Sequence, residues 1–374
     1  MKEYTDNPTT WSKNVSNERN GNAYGFDFKE MTNDELLQYY IAARLPVFLH
    51  GPSGVGKSTR VKQIDPENEE LVLRNQMDLS LIDGDINPKT GEREEPKWHK
   101  KIVEKCKKEP DKIHILFIDE LTNVKPATQS PLFDIIWDEN GNKGLWPLPE
   151  NCTIVAAGNE TANNYAAYPL TNALFRRFSH IYFEVNASDW LDWALSVDGP
   201  VSLPNISLSK IKSKIHPAIV AFIKVYRERV LYQDLDEDNP KIVPDPRKWE
   251  MASKILYLTN NPYSMKPAIG DETAELFIDF VKSAQLTVQD VINHTYKQSD
   301  INNMKNNVAK KFSTTAALSN ATHKELPVVR NFIKNNFEKE ELKLFDLLWV
   351  QGNKDRALYL GQLMNESNQK ELTF

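Results

Sequence analysis

Residues Gly51 to Ser58 read Gly-Pro-Ser-Gly-Val-Gly-Lys-Ser. This Gly-x-x-x-x-Gly-Lys-Ser spacing has chemical meaning only between a strand and a helix. Both are expected here: Leu45–Leu49 is a short apolar run, and helical periodicity begins at about Lys57. Gly51, Gly54 and Gly56 let the backbone wrap an anion with successive N–H groups turned inward, while Pro52, Ser53 and Val55 complete the wrap. The helix start adds its unbonded N–H groups and the positive end of its dipole. Lys57 supplies a point charge, Ser58 a hydroxyl for a metal ion, and Thr59 continues the first turn. The stretch is therefore expected to bind a nucleotide, with ATP and Mg²⁺ as cofactors.

What surrounds the loop predicts a parallel α/β sheet. Apolar runs at Leu71–Arg74, Ile113–Ile118, Thr153–Ala157 and Ile181–Val185 alternate with helical patterns, the order that right-handed crossovers require. Ile113–Ile118 is apolar almost throughout, as suits a strand covered on both faces. Asp119-Glu120 follows it directly and would emerge at the strand's carboxyl end, beside the loop. Asp119 then serves the metal through its bound water, and Glu120 is the candidate base for an attacking water. Thr32-Asn33-Asp34-Glu35 has the pattern of a capping box opening an earlier helix. The charged stretch 83–111 reads as a loop or insertion with a turn at Asn87–Gly91, and Asn140–Leu148 as a short hairpin.

Three further positions fall where phosphate chemistry needs them. Asn159 follows the fourth strand, where an amide can donate to a γ-phosphate or hold the lytic water. Arg176-Arg177 precedes the fifth strand, and Arg247 follows Pro246 at the opening of a helix. Arginine suits the charge that develops on a transferring phosphoryl group.

Together these motifs resemble the AAA+ ATPases, and within them the MoxR branch, over roughly residues 30 to 290. The resemblance rests on the loop, Phe117–Asn123 with Pro126 and Gln129, Ala156–Glu160, Leu174–Phe178 and Pro244–Trp249. It implies a P-loop NTPase core with a parallel sheet flanked by helices, then a helical lid and a C-terminal helical segment. It also implies that Asn159 is sensor 1, Arg247 sensor 2, and Arg177 the arginine finger that reaches a neighbouring subunit. The family carries an Asp before the finger, where this chain has Arg176, so two arginines compete for that role; Arg177 is preferred. A finger makes sense in a head-to-tail ring, and the family expectation is a hexamer acting on a protein client with a von Willebrand A domain partner.

The expected layout is a lead-in to residue 30, an α/β domain over 31–186, a helical lid over 187–290 and a helical segment over 291–374. Phe312, Leu326, Val328, Phe332, Leu344 and Leu347 are the expected apolar anchors of that last segment. Trp190 and Trp193 are read as core residues of the lid. Two cysteines, Cys106 and Cys152, suit neither a disulfide framework nor zinc, and no apolar run is long enough for a bilayer. A polar N-terminus without a signal-peptide core adds the expectation of a cytosolic protein. A net charge of −6 argues against a dedicated nucleic-acid coat. Lysines at 100, 101, 105, 107, 108 and 112, with others in 297–311, keep an AAA+ nucleic-acid motor or loader as the alternative. A nucleotide-gated scaffold that hydrolyses poorly is disfavoured, since a binding-only site needs neither Glu120 nor Asn159 nor Arg177.

Overall fold

The near-continuous apolar runs become five parallel strands. β1 (Val47–His50) pairs on one side with β4 (Cys152–Gly158) and on the other with β5 (Ser179–Tyr182). β3 (His114–Asp119) joins β4 to β2 (Glu69–Val72), for the order β2-β3-β4-β1-β5. All seven residues of β4 are buried, as are the first five of β3, which is the burial of strands covered on both faces. The computed structural model that shows this describes residues 22–72, 80–133, 135–136, 146–159, 168–186, 201–235, 241–351 and 353–371. Much of the Asn140–Leu148 hairpin, Trp190, Trp193 and the lead-in before residue 22 lie outside the described residues.

Helices cover the sheet. α1 (Asn33–Ala42) opens with both halves of the capping box, Thr32 with Glu35, and buries Leu36, Leu37, Tyr40 and Ile41. α2 (Lys57–Ile64) follows the glycine loop and buries Val61. α3 (Lys97–Lys108) occupies the end of the charged stretch, where the sequence suggests a loop. Its apolar stripe is narrow: Trp98, Ile102 and Cys106, with His99, face inward while lysines fill the rest. Cys106 and Cys152 are both buried in the same apolar cluster as free thiols. α4 (Asn172–Phe175) is a single turn ahead of β5.

Each strand differs by one to three residues from its expected span, and for two of them the cause is plain. β2 begins two residues early because Glu69, buried at 8% exposure, is held by Lys101 at 3.1 Å and Lys105 at 3.6 Å. β5 runs over 179–182 and stops before Val185, which is 81% exposed. The reason lies in its partner: β1 ends at His50, so the ladder closes with Phe183 N donating to His50 O.

The chain separates into two compact units. One comprises Asp27–His216 with Tyr226–Glu275 and holds the sheet. It also contains α6 (Pro246–Thr259) and α7 (Lys266–Ile269), which follow α5 (Pro217–Tyr226) in the chain. The expected 187–290 segment is thus divided between the units. The other unit takes the described part of Met1–Phe26, Pro217–Val225 and Leu276–Phe374. Most of its helices are α9 (Val288–Ile292), α10 (Gln298–Lys305), α11 (Val308–Leu318), α12 (Leu326–Asn336), α13 (Lys339–Val350) and α14 (Lys354–Glu371), after α8 (Asp271–Lys282). Its core gathers Leu286, Met304, Leu326, Phe332, Phe345 and Trp349. Of the expected anchors, Phe312 and Leu344 are buried too, but Val328 and Leu347 face solvent at 44% and 60% exposure. Each sits on the outer side of its helix, off the stripe that packs. Among the described residues no helix is long and apolar enough to cross a membrane.

Candidate active site

The carboxyl ends of β1, β3 and β4 lie side by side, and each delivers one part of the site. At the end of β1 the chain turns into the loop through Gly51, whose φ is +141°. A Cβ there would lie 2.3 Å from Phe183 O, so a side chain is excluded. Gly54 and Gly56 also adopt positive φ, and Gly56 is the residue that opens α2. No side chain caps this helix end, which leaves its first-turn N–H groups directed at the loop.

Lys57 is buried at 8% exposure, and its ammonium is gathered by three uncharged oxygens. It donates to Gly51 O at 2.7 Å, Pro52 O at 2.9 Å and Asn159 Oδ1 at 3.2 Å. The loop and the end of β4 are thereby joined. Ser58 Oγ donates to Asp119 Oδ2 at 3.0 Å, which joins the loop to β3 across β4. These two oxygens are hard ligands that leave most of an octahedral shell to water and phosphate. With the glycine turn, they fit a magnesium nucleotide. Among the described residues no group of three or more His, Cys, Asp or Glu is placed to hold a metal by itself.

Glu120 leaves the strand in left-handed backbone, with φ at +58°. Its N–H donates to Asp119 Oδ1 at 2.9 Å, and its Oε2 accepts from Asn123 Nδ2 at 2.6 Å. The two carboxylates thus point to different partners: Asp119 to Ser58, Glu120 to Asn123. Thr122 ties the junction together, since its Oγ1 accepts from Asn159 N at 3.0 Å. Gly158 allows that approach, because a Cβ would meet Thr122 Cγ2 at 2.6 Å and the Phe48 ring at 2.8 Å. Sequence reasoning assigned no role to Asn123, Thr122 or Gly158. Only the nearness of Asn123 to the acidic pair offered a signal.

The arginines have separate surroundings. Arg176 donates to Asp245 Oδ2 at 3.0 Å and Gln233 O at 2.9 Å, with its guanidinium 4.7 Å from the Tyr232 ring centre. Asp245 in turn accepts from Lys248 N and so caps α6, the helix whose first turn carries Arg247. Arg177 donates to Ala173 O at 2.9 Å within its own turn and lies over the Phe133 ring at 4.9 Å. Arg247 is half-buried.

A cavity of about 310 Å³ opens between α1, β5 and α7, lined by Met31, Asn33, Leu36, Tyr182, Tyr263 and Pro267. Tyr182 stacks on His50 with ring centres 4.1 Å apart, so the cavity adjoins the root of the loop. Burial, with Lys248 and Lys57 nearby, pushes His50 down to about 3 and keeps it neutral there.

Residues 46–178 match the AAA domain, dynein-related subfamily. No curated protein matches the chain. The chain is similar to the crystal structure of a candidate ATPase from Cytophaga hutchinsonii, with 11% identity and a TM-score of 0.29, over 88% of this chain and 87% of that one. The α/β P-loop AAA+ architecture expected from the sequence is the one observed: a five-stranded parallel sheet flanked by helices, with a helical C-terminal region. An AAA-type domain thus occupies residues 46–178 of this chain.

Proposed function

We propose that the protein is an ATPase of the MoxR type that works as a ring, a hexamer by family expectation, and uses ATP hydrolysis to remodel or mature a protein partner. The observation that carries the catalytic part is the junction of three strand ends: Lys57 on Asn159, Ser58 on Asp119, and Glu120 one residue beyond. In this reading the backbone of Gly51–Ser58, with Thr59, cradles the phosphates, and the cavity beside Tyr182 takes the nucleoside. Bound Mg²⁺, held by Ser58 and through water by Asp119, would neutralise charge on the outer phosphates. Glu120 orients the attacking water and accepts its proton, which requires the carboxylate to exchange Asn123 for that water. Asn159 holds the water or the terminal phosphate in line. Arg247 links the nucleotide to α6.

The ring part rests on the arginines. Arg176 is committed within its own subunit to Asp245, the cap of α6, and a role in a neighbour's site would sacrifice that cap. Arg177, which donates to Ala173 O within its own short turn, is the one we assign to the neighbour. The basic run of α3 and its following loop supports a protein rather than a nucleic-acid partner. Lys101 and Lys105 pair with Glu69, Lys108 with Glu104, and Lys112 with Asp65 and Glu109.

Glu120→Gln is expected to bind ATP normally while turnover falls by at least about 100-fold; unchanged turnover removes Glu120 as the base. Arg177→Ala should be inactive alone and regain turnover when mixed with Glu120→Gln subunits, which still carry intact fingers. Activity that only dilutes on mixing counts against a shared site. Retention of a von Willebrand A domain protein by Glu120→Gln in ATP but not ADP tests the partner. Turnover stimulated by DNA and lost with salt would favour the motor instead.

A further inference from the structure

Arg177 stands at the end of a helix too short to hold itself. α4 has four residues. A single turn fixes several backbone dihedrals for one hydrogen bond, so it does not persist unaided. Its place is set by what it is tied to, and three buried side chains from three other segments do the tying. Gln129 Oε1 accepts from Thr171 N, at the start of the turn, at 2.9 Å. His180 Nε2 donates to Phe175 O at 2.7 Å, and Lys248 Nζ donates to Phe178 O at 3.1 Å. Gln129 and Lys248 are 0% exposed and His180 1%. The last two carbonyls straddle the arginine pair: one precedes Arg176 directly, the other follows Arg177.

The direction of the bonds extends the tie to the loop. A carbonyl only accepts, so His180 carries its proton on Nε2 and presents a bare Nδ1. His50 Nε2 lies 2.8 Å from that Nδ1 and must therefore donate to it. His50 is joined to Gly51, so one line of bonds runs from the root of the phosphate loop through His180 to Phe175 O. The second runs from Lys248, in the same first turn of α6 as Arg247, to Phe178 O. An apolar side chain would fill the Lys248 site without the cost of desolvating an ammonium. Phe175 packs into the same cluster, stacked on His180 at 3.9 Å with the Lys248 ammonium 5.3 Å from its ring.

We propose that His180 and Lys248 are positioning residues for Arg177, holding the two carbonyls that bracket it so that the phosphate loop and α6 together set where this arginine meets the neighbouring subunit. The proposal rests on the reading that Arg177 acts in the neighbour's site. It is tested with the full chain carrying Lys248→Met or His180→Phe, alone and mixed with Glu120→Gln subunits. For Lys248→Met alone, kcat should fall at least about tenfold while KM and ATP affinity stay within about threefold, because its loop, Glu120 and the cavity lining are intact. For His180→Phe, whose side chain also lines the cavity, the same fall in kcat is read at saturating ATP. Mixing with Glu120→Gln should raise turnover at least about threefold over the variant alone. His180→Gln, whose amide nitrogen returns a donor near the position of Nε2, should stay within about threefold of the parent.

Loss of ATP affinity in step with kcat in Lys248→Met, or either variant staying inactive in mixed rings where Arg177→Ala revives, overturns the positioning role alone. If Arg177→Ala does not revive either, the shared site itself is wrong and the proposal falls with it. Thermal melting separates a folding failure of His180→Phe, in which case Lys248→Met, a near match in length, decides between these outcomes.

Discussion

Glu120 holds a left-handed backbone that costs a residue with a Cβ roughly 1 kcal/mol, and its carboxylate is taken up by Asn123 at 2.6 Å. Strain of this kind persists where the surroundings over-determine it, here through Asp119 on one side and the Leu121–Asn123 turn on the other. In the proposed mechanism Asn123 therefore sets the rest position from which Glu120 swings. We expect Asn123→Ala to lower kcat about five- to twentyfold with KM for ATP unchanged, since a base free to wander is seldom aligned. Steady-state kinetics at saturating ATP check this, and an unaltered kcat would make the bond incidental. Lys248 offers a second test at this scale. Burial pushes its ammonium down to about 7, against an upward pull from Asp245 and a downward push from Arg176. Between that value and 10.5 the unfolded chain holds a proton that the folded one lacks, so folding stability rises with pH across this window. Below about pH 7 both states are charged and the burial cost is complete. The rise approaches about 1.4 kcal/mol per pH unit. Urea unfolding of the parent and of Lys248→Met at pH 7 and 9 should show the gap between them shift in the parent's favour by about 2 kcal/mol. A constant gap would mean that Lys248 titrates as an ordinary lysine.

Between elements, the site depends on how closely the ends of β3 and β4 approach. Gly158 faces Thr122 and Phe48, and an added Cβ would stand 2.6 to 2.8 Å from their atoms. The strand must move to admit it, and Asn159 moves with the strand. Gly158→Ala should therefore cost about 1–3 kcal/mol of stability and at least about tenfold in turnover, with ATP still bound. Calorimetry with a nucleotide-binding titration would check both parts; full activity would show that the junction yields. The same junction marks the limit of what could be read from residues in order. The loop, Asp119 and Glu120 were legible because their chemistry depends on spacing within one stretch of chain. That Asn159 joins them was legible from its place after the fourth strand and from the AAA+ resemblance. Asn123, Thr122 and Gly158 were not legible, because their roles come from contacts between segments. Glu69 looked like a loop residue until Lys101 and Lys105 neutralised it at the sheet edge. α3 was hidden because an apolar stripe of three residues and a histidine is narrow among so many lysines. Val328 and Leu347 show the converse, apolar residues that helical phase turns outward.

For the whole molecule, the decisive matter is whether one chain contains a complete site. The loop, Ser58, Asp119, Glu120 and Asn159 all lie in the unit that holds the sheet, and in the proposed mechanism they bind and orient a magnesium nucleotide. Arg177 lies in the same unit, but its short turn presents it to Ala173 and Phe133. A finger supplied in trans accelerates phosphoryl transfer by about 10³–10⁵, so on the proposal that Arg177 is such a finger an isolated subunit would bind ATP well and turn it over very slowly. Specific activity should then depend on protein concentration, because on this proposal the fast site forms only where two subunits meet. At saturating ATP we expect turnover per subunit to rise at least about tenfold from dilute to concentrated protein, in parallel with the assembled fraction seen by sedimentation. Arg177→Ala should assemble over the same range while its turnover stays flat and low, since the contact forms without the charge. Turnover per subunit that is constant across dilution, with sedimentation showing the subunits parting, would place the whole catalytic apparatus within a single chain and leave the Arg176–Arg177 turn with the structural role of holding α6.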